Sequence, residues 1–290
     1  MVPVLISVAF ITLAERKVLS LIGLRQGPNK VSVQGVLQPI ADALKLANKS
    51  VNIISNYSMI IYYFSVFIIM FCSLMLWTSM PLRPGFVGWK HSFIILILIL
   101  GVASIKAIMA GWRTFGKYPL IGRMRTVSQI ISYESVLYLC ILTIIWCIKS
   151  FRIEEITNQG IVVLILIIPL TLIFWAPSVI AELNRTPYDF SEGERELVRG
   201  FNTEFGSRSF TIIFLREYRN IIFFIGLTSL MFANRSRGVT FLLSILFLNF
   251  WIIWMRRTLP RIRFDKFIIK AWKFYIPFIT IVAVIILLEV

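Results

Sequence analysis

Ile161–Ala181 reads IVVLILIIPLTLIFWAPSVIA, and Glu182–Glu204 continues as ELNRTPYDFSEGERELVRGFNTE. The first stretch carries no charge, and its length is about the 20 residues that a helix needs to cross a hydrocarbon core. The second is dense in carboxylates, with three arginines among them. Glu192, Glu194 and Glu196 alternate, so they cannot share one face of a helix. A solvated charge run is the usual reading of such a loop. Here proline, glycine and aromatic residues are interleaved with the acids, which points to a shaped loop instead. Its carboxylates raise one another's proton affinity while the arginines lower it, so protons belong to the cluster rather than to single residues.

The rest of the chain repeats the first pattern. Of 290 residues, 58% are hydrophobic and 15% charged, against about a quarter charged in soluble domains. The mean hydropathy is +0.83. Besides Ile161–Ala181, the runs Met59–Met80, Phe93–Trp112, Ile130–Ile148, Phe210–Ala233, Val239–Met255 and Phe274–Leu288 are long enough to span. Met1–Ala14 is short for a span, yet it has neither the basic start nor the small-residue cleavage site of a signal peptide. It is expected to be a genuine first helix. The fold class is therefore an all-α membrane protein with about eight transmembrane helices, a single polytopic domain over residues 1–290.

Charge orients the bundle. The loops after spans one, three, five and seven hold 21 of the 30 lysines and arginines, and the three intervening loops hold six. By the positive-inside rule the richer loops face the cytoplasm or the mitochondrial matrix, and both termini face the other side. The net charge of +16 thus reports orientation and anionic lipid such as cardiolipin, not nucleic acid. In the first loop, Val33, Val36, Leu37, Ile40, Leu44 and Ala47 keep a helical rhythm, expected to lie in the interface and to bend at Pro39. Gly27-Pro28-Asn29 before it is a turn signal.

Chemistry is sought among the charges that a bilayer makes costly. Lys106, Glu134, Glu182, Arg216, Glu217 and Arg219 lie inside or at the ends of spans, where such a residue costs at least about 2.5–3.5 kcal/mol. Local pairing could neutralise Glu217 between Arg216 and Arg219. Glu134 sits in Ser132-Tyr133-Glu134-Ser135 with no adjacent cation, and Glu134, Glu182 and Glu217 together suit a proton relay. Cys72, Cys140 and Cys147 have no CxxC pairing, and His91 is the sole histidine, so no metal or haem site is expected in this chain.

Several segments, in order, closely resemble the family of quinone-site membrane subunits of respiratory complex I. They are Glu15-Arg16-Lys17, Arg25-Gln26-Gly27-Pro28-Asn29-Lys30, Leu37–Leu46, Gly111-Trp112 with Lys117-Tyr118, Ile131–Glu134, Ala181–Phe205, Glu217-Tyr218 and Pro260–Asp265. The resemblance implies a subunit without a redox centre, lying where the membrane and peripheral arms of the complex meet. Ubiquinone would be its substrate, with FMN and iron–sulfur clusters confined to partner subunits. By matching position it implies that Arg25, Asp42, Lys45, Arg185 and Asp189 line or shape the quinone chamber. Glu192 and Glu194 would act in the charged step after quinone reduction. Glu134, Glu182 and Glu217 would begin an acidic path toward pumping subunits, and Glu15 would belong to the polar base of the first helix. The implied location is the mitochondrial inner membrane, with the termini on the intermembrane-space side, or a bacterial plasma membrane. High Ile and Phe content fits an AT-rich mitochondrial genome.

The chain departs from the family pattern at Arg195 (usually small), Arg216 (usually alanine), Ser32 (commonly glycine) and in Gly111–Tyr118, which lacks a Ser-Asn pair. Its start is also shorter by several residues. Two alternatives stay open: the related membrane subunit of a membrane-bound hydrogenase, which shares the ancestry but not the quinone, and an independent ion-coupled transporter. The latter predicts internal repeats and broken helices, which the sequence does not display.

Overall fold

Around the long helix α5 (Lys117–Ile148) the other elements are arranged. A computed structural model describes residues 2–49, 59–81, 89–111, 117–157, 161–190, 207–233 and 238–289. Within them every regular element is a helix. In order come α1 (Val2–Ile22), α2 (Gln38–Asn48), α3 (Met59–Leu76), α4 (Ser92–Gly111), α5, α6 (Ile161–Glu182), α7 (Ser207–Thr228), α8 (Val239–Thr258), α9 (Phe264–Lys270) and α10 (Ile276–Glu289). A π-helical turn, Ala271–Tyr275, joins α9 to α10 without a break.

One face of α5 supplies the centre of the core. Val136, Leu137, Cys140, Ile141, Ile144 and Ile148 recur at helical spacing and are all buried, as an inward stripe requires. They share one apolar cluster with Phe93, Leu96 and Leu100 of α4, Trp175 and Val179 of α6, and Phe223, Phe224 and Leu227 of α7. Helices α1, α3, α8 and α10 complete the bundle, α10 packing along α5 and α1 lying against both α7 and α8.

Among the described residues, three helical segments are long and apolar enough to cross a membrane: Leu120–Ile148, Val239–Thr258 and Phe264–Leu288. Shorter apolar helical stretches cover Tyr63–Ser79, Ser92–Val102 and Leu170–Glu182. Several helices overrun the apolar runs that announce them. Helix α1 has 21 residues and continues through Glu15-Arg16-Lys17 to Ile22, about 31 Å at 1.5 Å per residue. Hydropathy ends at the first charge, whereas a helix ends where its backbone can be capped. Likewise α5 starts at Lys117 rather than near Ile130, and the last helix starts at Phe264 rather than Phe274.

Pro39 does not bend α2. It occupies the first turn, where its missing N–H removes no helical bond. The apolar residues of this region, including Val33, Ile40 and Leu44, are exposed.

The ends of α1 and α6 are closed in the same way. At α6, the Asn184 N–H donates to the Ala181 carbonyl and the Arg185 N–H to the Ile180 carbonyl, with Asn184 at φ 50. This is a Schellman turn, and asparagine tolerates its left-handed position. At α1, the Leu24 N–H donates to Leu21 and the Arg25 N–H to Ser20. There the left-handed residue is Leu24, at φ 53. After it, Gly35 at φ +74 has no alternative, since a Cβ would stand 2.2 Å from the Pro28 carbonyl oxygen.

Candidate functional site

Glu15 lies seven residues before the end of α1 and is only 7% exposed. A buried carboxylate needs compensation, and it comes from three other elements. The Tyr218 hydroxyl, on α7, donates to its Oε2 at 2.6 Å. Arg256, at the end of α8, donates to its Oε1. The Arg185 Nη1 stands 3.7 Å from the same oxygen. The guanidinium of Arg185 also lies 4.7 Å from the centre of the Tyr218 ring, in cation–π range. The Schellman turn of α6 is what directs Arg185 back into the bundle. Ile11, Ile221, Asn249 and Ile253 help close a cavity of about 10 Å³ beside these groups, roughly the space of one water. Two guanidiniums thus converge on one carboxylate oxygen.

The chain following Arg185 is tied down on both sides. On one side the Gln129 side-chain amide, on α5, donates to the Ala181 carbonyl at 2.8 Å and the Tyr188 carbonyl at 3.0 Å. On the other, Thr186 Oγ1 donates to the Arg256 carbonyl at 3.3 Å and the Ile262 N–H to the Pro187 carbonyl. The Arg261 guanidinium reaches Asp189 at 3.2 Å. Tyr188 and Phe190 insert among Tyr133, Phe267 and Tyr275, with the Tyr133 and Phe267 rings stacked at 3.9 Å. Burial pushes the Tyr188 phenol well above its usual range, and the neighbouring Tyr275 adds to this.

Glu134 lies one turn before Tyr138 on α5, and the Tyr138 hydroxyl bonds its Oε1. Glu182 closes α6, whose helix packs along α5. The third acid of the expected relay, Glu217, is half-buried on α7 beside Tyr218. Arg219 does not pair with Glu217. It is 0% exposed and turns to α3, where its Nη1 donates to Ser73 Oγ at 2.7 Å and contacts Met70 Sδ at 3.4 Å.

Of the remaining expected residues, Asp42 binds Arg16 Nη1 at 2.6 Å and accepts from Gln38 at 2.9 Å, which fastens α2 to the base of α1. Arg25 and Lys45 are exposed. Glu192 and Glu194 lie outside the described residues. Sequence reading missed Arg256 and Tyr138 as partners. Arg256 is one of two arginines ending an apolar run, and Tyr138 stands at the i+4 spacing from an intramembrane glutamate, which was a usable signal. Among the described residues, no group of three or more His, Cys, Asp or Glu could hold a metal ion.

Fold and site together define an all-helical protein with helices apt to cross a membrane and buried charges gathered from several elements. The chain belongs to the NADH dehydrogenase family, which it matches over residues 1–287. It is 40% identical over 279 residues to NADH-ubiquinone oxidoreductase chain 1 of Aedes aegypti, covering 94% of this chain and 88% of that one. To the same protein of Locusta migratoria it is 42% identical with the same coverage. A bacterial relative, an NADH-quinone oxidoreductase subunit of Rhodospirillum centenum, is 38% identical over 297 residues, covering 96% and 88%. The resemblance expected from the motifs is met. The relatives so named are subunits of an NADH–quinone oxidoreductase.

Proposed function

We propose that this chain is the quinone-site membrane subunit of a proton-translocating NADH:ubiquinone oxidoreductase. Eight spans would carry it in the mitochondrial inner membrane, with its termini on the intermembrane-space side. Its basic loops would dock the peripheral arm and anionic lipid such as cardiolipin. Electrons would arrive from FMN and iron–sulfur clusters in partner subunits.

Reducing a quinone to a quinol takes two electrons and two protons, so the cavity that holds it needs protonatable groups and shelter from water. The observation that best supports this reading is the centre at Glu15. There a carboxylate, two arginines and a tyrosine from α1, α7, α8 and the loop after α6 meet beside the segment that leads into Glu192 and Glu194. Arg25, Asp42, Lys45, Arg185 and Asp189 would line or shape the chamber. The Arg16–Asp42 and Arg261–Asp189 pairs support this role because each ties a chamber segment to the bundle. A change of charge on Glu192 and Glu194 would alter proton affinity along Glu182, Glu134 and Glu217, which is coupling in the thermodynamic sense.

The test is Glu192→Gln and Glu194→Gln in the assembled complex. Each should lower NADH–quinone reduction severalfold while the complex still assembles and its flavin still oxidises NADH with an artificial acceptor. Unchanged quinone reduction in both variants would overturn the assignment.

A further inference from the structure

The Tyr138 hydroxyl has two acceptors and one hydrogen. Its oxygen is bonded to Glu134 Oε1 and stands 3.3 Å from the Ile97 carbonyl of α4. A phenol donates a single O–H, and a backbone carbonyl can only accept, so both contacts cannot be donated by the tyrosine at once. Two arrangements satisfy the geometry. With Glu134 ionised, the tyrosine hydrogen points to the carboxylate. With Glu134 protonated, the acid's own hydrogen points to the Tyr138 oxygen, and the tyrosine hydrogen turns to Ile97. The two differ by one proton, carried on Glu134, and the tyrosine keeps its hydrogen in both.

We propose that Tyr138 is a positioning residue for Glu134, whose hydroxyl swings between the carboxylate and the Ile97 carbonyl as that acid gains and loses a proton. This rests on the reading of Glu134 as part of a proton path and adds a partner to it. Spacing supplies the first half of the device: residues four apart on a helix face the same way, so Tyr138 reaches back over Glu134. Gly101 supplies the second. It lies one turn after Ile97, and its missing side chain leaves that carbonyl open sideways; a Cβ there would stand 3.3 Å from the Tyr138 hydroxyl and 3.8 Å from Glu134 Oε1.

The experiment is infrared difference spectroscopy on the intact complex upon quinone reduction, comparing the unaltered protein, Tyr138→Phe and Glu134→Gln. A protonated-carboxyl C=O band that vanishes in Glu134→Gln belongs to Glu134. Tyr138→Phe keeps the ring and removes the hydroxyl, so this band should move to higher frequency, with proton pumping per quinol lowered. A band unmoved in Tyr138→Phe overturns the proposal while leaving Glu134 in the path. Full pumping in Glu134→Gln removes Glu134 from the path and overturns the proposal with it. If Tyr138→Phe blocks assembly, ring-labelled tyrosine in the unaltered complex carries the test. A phenol C–O band must then change in step with the carboxyl band, and a fixed one overturns the proposal.

Discussion

Arg219 is the most costly side chain in the described structure. It is fully buried, its Nη1 has only a serine oxygen and a methionine sulfur, and its Nε and Nη2 make no hydrogen bond. A charge so placed costs at least about 2.5–3.5 kcal/mol in a membrane helix. Arg219→Met, which keeps a long flexible side chain, should leave the assembled complex as stable as before or more stable by about 1–3 kcal/mol. Thermal unfolding in detergent measures this, and a clear loss of stability would show that the guanidinium contributes more than it costs. The sequence invited a pairing of Arg219 or Arg216 with Glu217. Helical geometry forbids it: residues one or two apart do not face each other. The same rule made Tyr138 readable as a neighbour of Glu134. Arg256 as the partner of Glu15 was not readable, because the two are 241 residues apart and nothing local links them.

Helix ends rather than helix interiors hold the local strain. Leu24, at φ 53, is 96% exposed, so it bears a left-handed conformation and gains no packing in return. The left-handed region costs an L-residue about 1–2 kcal/mol, and glycine gives back about 0.5–1 kcal/mol through its greater freedom when unfolded. Leu24→Gly should therefore stabilise the complex by about 0.5–1 kcal/mol, seen as a higher unfolding temperature; a decrease would mean that Leu24 is covered in the assembly. Ser32 sits at φ 59, ψ −169, a region almost reserved for glycine. Hydropathy located the apolar cores of these elements but not their limits. In α1 and α5 the helix runs on into polar sequence, because Glu15 and Gln129 find partners inside the fold. The π turn before α10 left no mark in the apolar pattern.

At the scale of the whole molecule, charged contacts tie together helices that the apolar core holds only side by side. Glu15 joins α1, α7, α8 and the loop after α6 in one network. Glu15→Gln keeps the shape and one acceptor but leaves Arg185 and Arg256 facing a neutral amide. Breaking a buried pair costs about 3–5 kcal/mol, and the 35% exposure of the Arg256 side chain lowers this to about 2–3 kcal/mol through solvent screening. The complex should unfold at lower temperature and reduce quinone more slowly. If only activity falls, the network acts on chemistry and not on stability. The helical class and the family were legible from composition, spacing and motifs. The convergence of these four elements was not, since only tertiary structure brings a loop arginine against the first helix.

That convergence also bears on how the chain is made. Arg256 leaves the ribosome 241 residues after Glu15, and Arg185 leaves between them. Until the loop after α6 is made the first helix carries an acid without either arginine, so its base must stay hydrated or protonated; Arg185 then arrives, and α8 adds the second guanidinium. The Glu15–Arg256 pair is therefore a late closure, one that ties α1 to α8 only after the helices between them have been made. A chain truncated before α8 would keep the contacts of α1 with α7 and lose both those with α8 and this lock.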